Sequence, residues 1–72
     1  MITSDIIRLA IAGAGMRIDC SNKLVSDLVR IAVAAKNGHG FIFLENTNRL
    51  LVSDKIRIAK AGEGHIIFND II

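Results

Sequence analysis

The chain has 72 residues, of which 51% are apolar, and a formal net charge of +2. One domain is the limit at this length, and a body this small buries only about 60% of its unfolded surface. The lone cysteine, Cys20, excludes an intrachain disulfide. No Cys/His cluster has zinc-ligand spacing, and no apolar run reaches the roughly 20 residues that span a bilayer.

The first element starts at Ser4-Asp5. Serine is a good helix N-cap, and an acid beside it favours the positive end of the helix dipole. The spacing of Ile6, Ile7, Leu9, Ala10 and Gly13 predicts one apolar helix face, with Arg8 turned to water. Gly13-Ala14-Gly15 ends the helix, as a left-handed cap would. Met16, Ile18 and Cys20 then alternate with Arg17 and Asp19, the pattern of a strand with one buried and one wet face.

The second element repeats the first. Ser26-Asp27 precede Leu28, Val29, Arg30, Ile31 and Ala32, and the run ends in Asn37-Gly38. The strand that follows, Phe41-Ile42-Phe43-Leu44, is apolar throughout and predicts burial on both faces. The third element reads Ser53-Asp54-Lys55-Ile56-Arg57-Ile58-Ala59, then Gly62-Glu63-Gly64 and a strand from Ile66 to Phe68. Lys55 stands on the apolar face, which suits a partly exposed helix with the lysine stem lying along it. Ser, Asp, Arg and Ala recur in step. The reading is therefore one domain, 1–72, of three imperfect helix–glycine turn–strand repeats at about 4–22, 26–46 and 53–70.

Consecutive strands joined through a helix run parallel, with right-handed crossovers. The expected fold class is α/β: a small, solenoid-like parallel sheet with helices on one face. The other face would expose Phe41 and Phe43, or Ile42 and Leu44, unless a partner covers it, and such patches mark interfaces. The segment Phe41-Ile42-Phe43-Leu44-Glu45-Asn46 resembles the strand and asparagine of a leucine-rich repeat. That family forms parallel αβ coils that bind partners on a curved face. The resemblance covers this unit alone, since Asn22 and Asn69 fall at other offsets in their units.

The glycine pairs invite a phosphate-loop reading, but the order here is helix, glycine, strand. A phosphate loop needs the reverse, so that a helix N-terminus faces the anion. Arg8, Arg30 and Arg57 would line up as a row able to contact anions, yet Asp5, Asp27 and Asp54 each stand three residues earlier and favour local ion pairs. His39 and His65 both follow a glycine at a strand start and would share one sheet edge, where two histidines without a third ligand make a poor metal site. Asp19, Glu45 and Asp70 would gather at the other edge, where open α/β sheets bind ligands. Turn formation is the simpler role for acids and asparagines there. No nucleophile–base pair is recognisable, and no cofactor or metal is expected.

The leading expectation is a non-enzymatic, cytoplasmic interaction module. It self-associates as a homo-oligomer, or binds a protein partner, through Phe41, Ile42, Phe43, Leu44, Ile71 and Ile72. The alternatives are a basic accessory protein that binds nucleic acid through the Arg row, and a small enzyme subunit. No membrane contact is expected.

Overall fold

A computed structural model describes residues 2–69. Ile71 and Ile72, expected as contact residues, and Asp70 lie outside the described residues. Helices and strands alternate along the chain: α1 (Thr3–Ile11), β1 (Met16–Asp19), α2 (Val25–Gly38), β2 (Ile42–Glu45), α3 (Val52–Gly62) and β3 (Ile66–Phe68). The fold is α/β, with three helices and a small parallel sheet of three strands in the order β1-β2-β3. Met16 lies beside Ile42 and Ile42 beside Ile66, so both junctions share one register.

The apolar side chains explain the layering. Leu28, Ile31, Ile42, Leu44 and Ile58 are among the largest fully buried side chains, and Ile6, Ala10 and Ile18 join them in one cluster. β1 keeps its expected alternation, with Ile18 buried and Arg17 and Asp19 exposed. β2 departs from expectation: Ile42 and Leu44 are buried, but Phe43 and Glu45 are only half-buried. A strand is closed on both faces only when layers pack on both, and here the buried positions gather on one.

The helix starts also differ from expectation. The N-caps are Ile2, Leu24 and Leu51, none with a side-chain cap hydrogen bond, and each serine lies inside the first turn. The first turns close instead on the carbonyls of Ile2, Leu24 and Leu51, to which Asp5, Leu28 and Lys55 donate at 3.1, 3.1 and 3.0 Å. The aspartates become the third helical residues, where they still meet the positive dipole end.

The glycines divide two tasks. Gly13 follows α1 in a left-handed conformation, with φ of 96°. In α2 and α3 the left-handed residue is instead His39 or Glu63, and the glycine before it closes the helix. Gly38 is needed there for space, because a Cβ would stand 1.9 Å from the Ala10 carbonyl oxygen.

Candidate functional site

The two ends of the strands carry different chemistry. At the start of the strands, His39 and His65 come together, with ring centroids 6.1 Å apart in an edge-on arrangement. His65 Nδ1 lies 2.8 Å from the Gly40 carbonyl oxygen, which fixes the ring. The ring also stacks on Phe41 at 5.3 Å and 28° between planes. Sequence reasoning placed both histidines on this edge but missed the Phe41 stack. The contact spans two strands, and no local spacing announces it.

The open face of the sheet continues from Phe41. Arg17, Phe43 and Ile67 stand in register across the three strands. The Arg17 guanidinium lies 6.0 Å from the Phe43 ring centroid, within reach of a cation–π contact, and 3.8 Å from Glu45. Phe41 is 52% exposed and Ile67 is 37% exposed. A cleft of about 530 Å³ runs beside Phe41 and Phe43, bounded by the Gly13–Gly15 turn and His39. The four aliphatic and aromatic residues expected as a contact patch are thus divided. Ile42 and Leu44 point into the core, and Phe41 and Phe43 belong to the open side.

At the other end of the strands the acids are tied into turns and ladders. Asp19 Oδ1 accepts from Asn46 Nδ2 at 2.9 Å and from the Ser21 backbone N–H at 2.9 Å. The Asn46 bond first, and the Ser21 bonds after it, hold the Asp19 carboxyl at about 2, below its ordinary 3.8. Glu45 Oε2 accepts from Asn69 Nδ2 at 3.0 Å. Asn46 makes its bond from a left-handed backbone, with φ of 59°, a conformation asparagine tolerates. Arg49 donates to the carbonyls of Cys20 and Lys23, tying the loop before α2 to the loop before α3. Thr47 is fully buried in the same region. Sequence reasoning missed both residues, since Arg49 acts across 29 and 26 positions of chain.

The arginine row forms as local pairs. Arg8–Asp5, Arg30–Asp27 and Arg57–Asp54 lie at 3.9, 3.8 and 3.9 Å, one on each helix. Each guanidinium is mostly exposed and shares its charge with its own aspartate. Cys20 is buried at the end of the strands opposite the histidines, so the two histidines and the thiol do not meet. Among the described residues no group of three or more His, Cys, Asp or Glu is placed to hold a metal ion. Among them, too, no helix is long and apolar enough to cross a membrane. Comparison of the chain with protein-family models, with curated proteins and with solved structures finds no match.

Proposed function

We propose that this chain is a small, non-enzymatic assembly module of three solenoid-like repeats, and that it self-associates through the open face of its sheet. The observation that carries the reading is Phe41, 52% exposed, beside Phe43 and Ile67 on a face turned away from the buried cluster. Fully burying an exposed side chain of this kind contributes about 1.5–3 kcal/mol, and about half of that is still to be gained at Phe41. Arg17 and Glu45 rim the patch with paired charge, as interface rims commonly do. A lone, buried thiol suits a reducing compartment, and we place the module in the cytoplasm.

Light scattering on the purified chain tests the reading. The native protein should exceed the 7.8 kDa of one chain, and a Phe41→Ser, Phe43→Ser variant should lose sheet-face pairing. A native protein that stays a clean monomer at micromolar concentration would remove the proposal.

A further inference from the structure

Each end of the molecule carries one half of a contact that its middle makes twice. On α1, Ala10 lies against α2, where its carbonyl oxygen would meet a Cβ on Gly38. On α2, Ala32 occupies the same place and lies against Gly62 of α3, its Cβ 3.6 Å from where a glycine Cβ would stand. Both alanines are fully buried. The third alanine of the set, Ala59 on α3, is exposed. Its neighbours follow it: Ile7 and Val29 are half-buried, but Ile56, the matching residue, is 49% exposed. Val52 is exposed where Thr3 and Val25 are half-buried. Val52, Ile56 and Ala59 are therefore an exposed apolar stripe whose internal counterparts are half-buried or buried, the alanines among them beside the following helix.

The opposite end shows the complementary half. Ile31 and Ile58 are fully buried, whereas Leu9, the matching residue of α1, is 40% exposed. Ala34 is buried and Ala12 is exposed in the same way. A cleft of about 510 Å³ opens beneath Leu9, with Ile6, Met16 and Ile18 among its lining. It stands where an interior unit has the apolar residues of the unit before it.

The strand edges agree with the helices. Met16 and Cys20 donate their N–H groups to β2, at the carbonyls of Phe41 and Glu45. By strand alternation Arg17 and Asp19 turn theirs to the free edge. Asn69 donates to Leu44 of β2, so Ile66 and Phe68 turn to the free edge on the other side. This is the alternation that β2 itself uses: Ile42 donates towards β3 while Phe41 and Glu45 accept from β1. A β3–β1 junction between two molecules would thus repeat the register already made twice within one.

We infer that the occupant of each end is a second copy of this chain, docked head to tail: the Val52, Ile56 and Ala59 stripe with the β3 edge covers Leu9 and the β1 edge of the next molecule. This contact goes beyond the sheet-face pairing proposed above and involves different residues. It is heterologous, so it does not close at two copies, and it grows with concentration.

The test uses the full chain carrying Phe41→Ser and Phe43→Ser, which makes the readout independent of the sheet face. In that background the weight-average mass by sedimentation should rise past two copies as concentration increases. Leu9→Glu spoils one end and Ile56→Glu the other, and each alone should abolish the growth while circular dichroism stays unchanged. Mixed in equal amounts, the two variants retain one intact end apiece and should form a one-to-one pair that stops there. A background protein that stays monomeric, growth that survives Ile56→Glu, or a mixture that fails to pair would overturn the inference. Should Leu9→Glu unfold the chain, Leu9→Ser replaces it in the same mixing experiment.

Discussion

Replacing Gly38 with alanine sets helix propensity against helix packing, and the structure decides which wins. Gly38 is the last residue of α2, and alanine there would gain at most about 1 kcal/mol of intrinsic helix preference. Against this, the added methyl would lie 1.9 Å from the Ala10 carbonyl oxygen and 2.9 Å from that of Ile11. Both obstacles are backbone atoms of α1, so no rotamer change relieves them and the two helices must separate. Overpacking of this kind costs roughly 1–3 kcal/mol, occasionally more, and a packed backbone belongs at the upper end. The net loss should be about 2 kcal/mol, which lowers the melting temperature of a domain this size by roughly 8–16 °C. Thermal unfolding followed by circular dichroism measures it. Gly64→Ala is the control, since its Cβ would meet nothing within 4 Å and only its φ of 91° penalises the change. A Gly38→Ala protein as stable as the native chain would refute the claim that close approach of α1 and α2 selects glycine here.

Other consequences follow from the same geometry. Leu44→Ala empties a fully buried position of β2 and should cost about 2–5 kcal/mol in urea unfolding; a loss below about 1 kcal/mol would place Leu44 outside the core. The Asp19 carboxyl, held at about 2 in the folded chain, contributes stability that is present above its ordinary 3.8 and disappears as pH falls from there through the folded value. Asn46→Ala removes the largest cause of that lowering, so the Asp19 titration followed by NMR should move up; an unmoved midpoint would show that Asn46 does not hold the carboxylate. Replacing Arg8, Arg30 and Arg57 together with alanine breaks three exposed pairs worth about 0.2–1 kcal/mol each and should leave retention on nucleic acid unaltered. Salt-sensitive retention that disappears in this triple variant would instead favour a nucleic-acid partner.

What was legible in the chain was its local order. The spacing of Leu28, Ile31 and Ala32 fixed which side of α2 is buried, and the Met16–Cys20 alternation fixed the faces of β1. The Ser-Asp pairs located the helix starts to within a turn but misassigned the cap, because an aspartate at the third position satisfies the same dipole without a hydroxyl. The apolar run at Phe41–Leu44 could not reveal which alternate residues face the helices, since that depends on where neighbouring strands fall in register. For the same reason the Phe41–His65 stack and the reach of Arg49 to the Cys20 carbonyl were invisible: each joins residues far apart in sequence. Gly38 looked like a cap and turned out to make room for a neighbouring helix, a distinction that only packing can draw.

The most direct test of the assembly reading is sedimentation equilibrium of the unmodified chain over a wide concentration range. The account predicts a weight-average mass above 7.8 kDa that keeps rising with concentration. A mass fixed at 7.8 kDa across the whole range would contradict it.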